Sequence, residues 1–335
     1  MSKFKKFPFI IAEVGVNHNG SVIKAQKLID FASKNNIDAV KFQFFKASNL
    51  VSKNTGLAPY QKSKLKISNQ YSMLKKYELD LETHISLSKY CKKRKIEYMT
   101  SFFDEESIKF HSQLNLKRLK VPSGELTNVP YLQEIAKINK QILLSTGMAT
   151  LKDVIFALDV IIKKNPYHKK NIVIMQCTSE YPAPIDNVNL NVLKTYANLG
   201  FNIGFSDHTL GYDSSILAIA LGVTYIEKHI TLNNNLSGPD HKASLSINNF
   251  KIYASKINEA VRILGSQIKK PSKVENINSN FVKKKIVAKE IIKKGEIFTT
   301  KNLITKRSQA GTSAKHWNNM IGKKSKKYYK KGENV

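Results

Sequence analysis

Residues 204–244 read GFSDHTLGYDSSILAIALGVTYIEKHITLNNNLSGPDHKAS. Two short apolar runs in and beside this stretch, Asn202–Phe205 and Val223–Ile226, each end in a polar cluster. The first cluster is Ser206-Asp207-His208 and the second is Glu227-Lys228-His229. Between them Ser214–Leu221 is small, apolar and long enough for a helix, so the unit reads strand–helix–strand. Two strands joined by a crossover helix run parallel, which puts both histidines at the carboxyl ends where α/β folds bind ligands. Neutral imidazole is a common ligand of divalent metals, and Asp207, Glu227 or Asp240 would orient it or hold a substrate. A lone buried histidine is more often a hydrogen-bonded core residue than a ligand. Two at equivalent positions, followed by Gly238-Pro239-Asp240-His241, move the reading toward a site.

Outward from this stretch the same alternation fills the chain. Strands are predicted at Phe9–Val14, Ala39–Phe44, Glu97–Thr100, Arg118–Val121, Ile142–Leu144 and Ile172–Met175, ahead of the two already named. Amphipathic helix patterns separate them at Val22–Asn35, Leu81–Lys93, Glu105–Leu114, Val129–Lys137 and Leu151–Lys164, and Ile247–Leu264 follows the last strand. Eight such units within residues 1–265 predict a (β/α)8 TIM barrel, a fold of about 250 residues. The insertion Ser48–Lys76 after the second strand exceeds an ordinary βα loop and is expected to be a lid or substrate-binding loop.

Polar, reactive side chains gather at the carboxyl ends of these strands and not at the opposite ends. They include Glu13, Asn17 and His18 on the first, and Lys41 and Gln43 on the second. Thr100 and Ser101 follow on the third, then Lys120, Ser123, Gly124 and Glu125. The fifth carries Ser145, Thr146 and Gly147, and the sixth Thr178, Ser179, Glu180 and Tyr181. A barrel collects all of them on its catalytic face. Lys41 and Lys120 interrupt apolar strands, where a lysine is costly without an anion. Either a bound anion or a strand-end carboxylate such as Glu13 would supply it. The Ser123-Gly124, Ser145-Thr146-Gly147 and Ser206 hydroxyls and amides suit a phosphate, although none forms a Walker loop. Glu13 or Glu125 is placed for proton transfer.

Composition limits the alternatives. A chain of 335 residues with 41% hydrophobic content buries a sizeable core and accommodates a large domain with a small one. Two cysteines, Cys91 and Cys177, do not make a disulfide framework, and the expected setting is cytoplasmic. The N-terminus lacks a signal-peptide core, and no apolar run reaches a membrane span of about 20 residues. The formal charge of +30 is uneven, since residues 266–335 hold 19 Lys and Arg against 4 Asp and Glu. No nucleic-acid-binding motif appears among them. A nucleic-acid-binding protein on an inactive barrel is therefore the remote alternative to an enzyme that attracts an anionic substrate.

Taken in order, IAEVGVNHNG, VKFQFFKA, VPSGELTNVPYL, LSTGMAT, CTSEYPAP, GFSDHT, IEKHITL and SGPDHKAS resemble the sialic acid synthase family of phosphoenolpyruvate-condensing barrels. VAKEIIKKGEIFTTKNLITKR resembles the antifreeze-like (SAF, β-clip) domain that follows the barrel in that family. The resemblance implies a barrel over 1–265, a linker over 266–283 and a SAF domain over 284–335. The reaction it implies joins phosphoenolpyruvate to N-acetylmannosamine, giving N-acetylneuraminic acid and phosphate by C–O cleavage. The alternative acceptor is 2,4-diacetamido-2,4,6-trideoxymannose, the substrate of legionaminic acid synthesis.

By the same resemblance His208 and His229 hold Mn²⁺ or Mg²⁺. Lys41, Ser101, Lys120, Ser123, Ser145, Ser179 and Ser206 grip phosphoenolpyruvate, and Glu13, Gln43, Tyr181 and Asp240 lie beside the sugar or the reacting carbons. Arg307 reaches the sugar's N-acyl group across a domain-swapped homodimer. The tail itself, short and polar, is expected to hold little core of its own and to need a docking partner.

Overall fold

Each of the eight predicted strands is a strand in the computed structural model, which describes residues 8–57 and 69–335. They are β1 (Phe9–Gly15), β2 (Ala39–Phe44), β3 (Glu97–Phe102), β4 (Arg118–Val121), β5 (Gln141–Ser145), β6 (Ile172–Cys177), β7 (Asn202–Asp207) and β8 (Tyr225–Thr231). Neighbours in sequence pair in parallel, and β8 pairs with β1, closing the sheet into the expected (β/α)8 barrel. β8 starts two residues later than predicted and runs on through Glu227 and His229. β7 likewise continues to Asp207. Polarity marked these positions as strand ends, but Glu227, Lys228 and Asp207 find buried partners, so the ladder continues.

The barrel helices are α1 (Val22–Lys34), α2 (Ala47–Leu50), α3 (Gln70–Tyr77), α4 (Leu81–Lys93), α5 (Glu105–Ile108), α6 (Val129–Ala136), α7 (Leu151–Lys164), α8 (Val192–Asn198), α9 (Asp213–Ala220) and α10 (Ile247–Leu264). Their starts are written locally. Ser21, Asp80 and Ser246 accept from the third backbone N–H of α1, α4 and α10, and Thr150 with Asp153 forms a capping box on α7. A two-residue strand, β9 (Leu245–Ser246), pairs in parallel with the end of β8. The insertion after β2 contributes α2 and α3, while its residues 58–68 lie outside the described residues.

Alternation along each strand sorts the side chains into two cores. Outward residues pack under the helices in one large cluster that includes Ile10, Val40 and Leu119. Inward residues Ile11, Ala39, Met99, Leu143, Val173 and Met175 fill the barrel. Gly204 keeps room for this filling, because a Cβ there would lie 2.2 Å from the Met175 sulfur. One step of two residues above the apolar layer, the inward positions become Glu13, Lys41, Ser101, Ser145 and Cys177. The strand period thus converts a sequence of isolated polar residues into one polar layer above a dry floor.

Residues 266–335 form a second unit. Most of the stretch expected as a linker is helical: α11 (Lys273–Val282) begins with a Ser272–Glu275 capping box. β10 (Lys284–Ala288) and β11 (Leu303–Arg307) pair antiparallel. Ile286, Ala288, Ile292, Phe298, Leu303 and Val335 bury one another, so the tail has a small core of its own. Its apolar residues are scattered in sequence and converge through long-range backbone bridges such as Ile292–Tyr329.

Candidate active site

The polar layer opens into a cavity of about 470 Å³ at the carboxyl ends of the strands. At its floor four charged side chains form a chain. The Lys41 ammonium lies 2.8 Å from Glu13 Oε2 and 3.7 Å from Glu227 Oε1, and Lys120 lies 2.9 Å from Glu227 Oε2. Lys41 also donates to Ser101 Oγ at 3.0 Å, and Ser206 Oγ donates to Glu227 at 2.9 Å. All four charged groups are buried. Both strand lysines therefore have carboxylate partners within the protein.

The environments of the two glutamates pull apart. Burial pushes the Glu13 carboxyl up to about 7, against the opposing pull of Lys41. Burial acts on Glu227 in the same sense, but Lys120, Lys41 and Ser206 outweigh it and hold that carboxyl below the usual range. Burial alone would lower the Lys41 ammonium, yet Glu13 and Glu227 together raise it. One carboxylate is thus locked as an anion while its neighbour exchanges a proton near neutrality.

His208 and His229 face each other above this floor, with ring centroids 5.4 Å apart, and the Tyr181 ring lies 4.3 Å from His208. His208 Nδ1–H donates to the Thr178 carbonyl at 2.6 Å, which leaves Nε2 as a lone pair. Burial lowers His208 to about 4 and takes His229 well below the ordinary range, so both imidazoles are neutral. His229 Nδ1 is buried with no hydrogen-bond partner among the described residues, and Asp240 Oδ2 stands 3.9 Å from it. Neutral rings with an unclaimed nitrogen fit a metal-ligand role. Among the described residues no cluster of three or more His, Cys, Asp or Glu is arranged for a metal.

The expected orienting carboxylates behave differently. Asp207 turns out of the barrel to Lys228, at 3.0 Å, and Glu227 turns to the lysines. The Thr178 carbonyl orients His208 instead. For Asp207 the reason is strand alternation, which turns it to the face opposite the cavity; Glu227 shares the inward face of His229 and is taken up by the lysines.

A hydroxyl-rich wall completes the cavity. Ser123 Oγ accepts from the Gly147 N–H at 3.0 Å, and a Cβ on Gly147 would lie 2.2 Å from Ser179 Oγ. Glu125 is held by Asn128 at 2.7 Å and its carboxyl is raised by burial. Gln43, Gly124 and Ser145 also line the space. Asn17 and His18 do not. Asn17 donates to the Ile230 carbonyl and to Ser244 Oγ, and His18 accepts from the Gly20 N–H, so both secure loops. Arg307 belongs to the second unit, exposed at the end of β11 opposite Lys284. The apolar wall of Leu50, Met73, Leu74 and Tyr77 comes from the ends of the insertion. Glu227 was expected to orient a histidine or hold a substrate, but its pairing with Lys41 and Lys120 was not; the two-residue spacing from His229, which gives both the same inward face, was the signal that it enters the cavity.

The NeuB family profile matches residues 28–269, and a SAF domain profile matches 284–335. The chain is 47% identical over 330 residues to the N,N'-diacetyllegionaminic acid synthase of Campylobacter jejuni, covering 98% of each chain. It is 42% identical to the enzyme of the same name from Legionella pneumophila, covering 94% of this chain and 89% of the relative. A crystal structure of the N-acetylneuraminic acid synthetase of Leptospira borgpetersenii superposes with a TM-score of 0.72 at 26% identity, covering 82% of this chain and 90% of that one. Barrel, paired strand-end lysines, facing histidines and a SAF tail coincide with matches that span nearly the whole chain: the chain belongs to the NeuB family.

Proposed function

We propose that this chain condenses phosphoenolpyruvate with 2,4-diacetamido-2,4,6-trideoxymannose, giving N,N'-diacetyllegionaminic acid and phosphate. As a NeuB-family member it is a phosphoenolpyruvate-dependent nonulosonic acid synthase, a transferase. The observation that carries the choice of sugar is the 47% identity, along 98% of both chains, to a legionaminic acid synthase. N-acetylmannosamine, the acceptor expected first from the motifs, has weaker support, from a structure at 26% identity. The apolar wall of Leu50, Met73, Leu74 and Tyr77 agrees with a 6-deoxy sugar, which carries a methyl group where N-acetylmannosamine carries a hydroxymethyl. Mass spectrometry of products from phosphoenolpyruvate with each sugar is the test. Product from N-acetylmannosamine alone would reject this reading.

In this reading Lys41, Lys120 and the serine hydroxyls hold the phosphate and carboxylate, so that two substrates meet at low entropic cost. Glu13, titrating near 7, gives or takes the proton at the acceptor oxygen. His208 and His229 would hold a divalent cation, Mn²⁺ or Mg²⁺, which supplies Lewis acidity when bound. Dialysis against a chelator is expected to abolish turnover and added Mn²⁺ to restore it. His208→Ala and His229→Ala should each lose bound Mn²⁺ by elemental analysis while melting as folded proteins; retention of stoichiometric metal in either would reject the ligand pair.

The tail enters the reading through Arg307. Its planar guanidinium, exposed at the end of β11, suits the N-acyl oxygen of a sugar bound in the barrel of a second copy in a swapped homodimer. Arg307→Ala should raise the KM for the sugar about tenfold and that for phosphoenolpyruvate less than about twofold. An unchanged sugar KM would remove Arg307 from the site.

A further inference from the structure

Backbone strain marks one residue at the cavity, within the LSTGMAT stretch, to which no role has been given so far. Six described non-glycine residues adopt left-handed φ, and four of them are asparagines, which tolerate it. Met148, at φ +64°, is the apolar one. It is also 78% exposed, so it adds almost nothing to the core, and it lines the cavity.

The chain reaches this conformation for a structural reason. The Gly147 N–H is tied to Ser123 Oγ at 3.0 Å, and Gly147 is pressed so closely on Ser179 that no side chain fits there. The backbone then leaves by a left-handed step into α7. Glycine or asparagine would take that step with less steric cost. A methionine in their place, strained and unburied at the cavity, points to a contact completed only when the cavity is filled. Leu50, Met73 and Leu74 contribute further apolar lining to the same space, so a ligand with apolar substituents is enclosed, whereas an anion is served by the lysines at the floor.

We propose that Met148 is a specificity-determining residue that packs on the apolar substituents of the acceptor sugar. This rests on the reading that the acceptor carries two acetamido groups and a C6 methyl. An unbranched thioether side chain adapts to such irregular methyl-bearing surfaces. Phosphoenolpyruvate, held by charge, makes no use of it.

Three variants separate contact from strain. Met148→Ala keeps the left-handed step and loses the side chain, Met148→Gly loses both, and Met148→Leu keeps an apolar side chain of similar size. Met148→Ala and Met148→Gly are expected to raise the KM for the diacetamido sugar about tenfold, with the KM for phosphoenolpyruvate within about twofold of wild type. Met148→Leu should recover most of the loss, and Met148→Gly should melt no lower than Met148→Ala. An unchanged sugar KM in Met148→Ala, or equal rises for both substrates, overturns the proposal. Wild type assayed with N-acetylmannosamine runs alongside. If it accepts only that sugar, the legionaminic reading fails, and the KM for N-acetylmannosamine in Met148→Ala then decides whether Met148 touches the acceptor.

Discussion

Lys120→Met is expected to lower kcat/KM for phosphoenolpyruvate by about 100- to 1,000-fold, the cost of removing a preorganised charge from a buried site. Lys120 is 2% exposed and lies 2.9 Å from Glu227, which it shares with Lys41. Methionine matches the length of the lysine stem but carries no charge. Glu227 would keep Lys41 at 3.7 Å and Ser206 at 2.9 Å, so the floor loses one of its two cations without losing its anion. An incoming phosphate or carboxylate then meets a floor more negative by one charge. The solvated lysines of the tail provide the contrast. Lys323→Met and Lys324→Met, both exposed, should leave turnover within about twofold, since exposed charges contribute little individually. Steady-state kinetics decides the matter. Equal losses at all three positions would mean that the overall basic field, and not the strand-end lysines, attracts the substrate.

Lys228→Met is expected to lower the melting temperature by about 10 °C, because it strips the partner from a buried carboxylate at a cost of about 3–5 kcal/mol. Asp207 and Lys228 are directly paired across β7 and β8, 3.0 Å apart at their charged ends, with both side chains sealed from solvent. Lys228 also donates to the Thr209 carbonyl, and Asp207 accepts from Thr209 and from Ser215 Oγ. Burial lowers the Lys228 ammonium, against the opposing pull of Asp207. The double variant Asp207→Asn/Lys228→Met should recover part of the loss, since no unpaired charge remains inside. Thermal unfolding of the single and double variants gives the coupling directly. A melting temperature within about 2 °C of wild type for Lys228→Met would show that the pair contributes no net stability.

These two lysines show where sequence reading succeeded and where it stopped. Lys120 stood out because an apolar strand rarely carries a lysine, and that anomaly survives any uncertainty in strand limits. Its partner did not stand out. Glu227 lies 107 residues away, and only the closed sheet brings it to Lys120. Lys228 and Asp207 were visible in the same motifs as the histidines, and proximity in sequence suggested a shared site. The alternation of the strand sends them to the opposite face, where they staple the barrel to its helices.

Local chemistry by itself determined the elements of this protein. The apolar runs marked eight strands, amphipathic patterns marked the helices between them, and the crossover helices imposed parallel pairing, from which a barrel and its catalytic end follow. The distribution of polar residues to one end of those strands was equally legible, because the period of two needs no partner to be counted. What only the tertiary structure decided is which charges meet: the Glu13–Lys41–Glu227–Lys120 floor, the Thr178 carbonyl that orients His208, the unclaimed nitrogen of His229, and the strained step at Met148. The tail's core likewise emerged only on folding. Pairing energies and burial depend on distances between residues far apart in the chain, and those distances are set when the sheet closes.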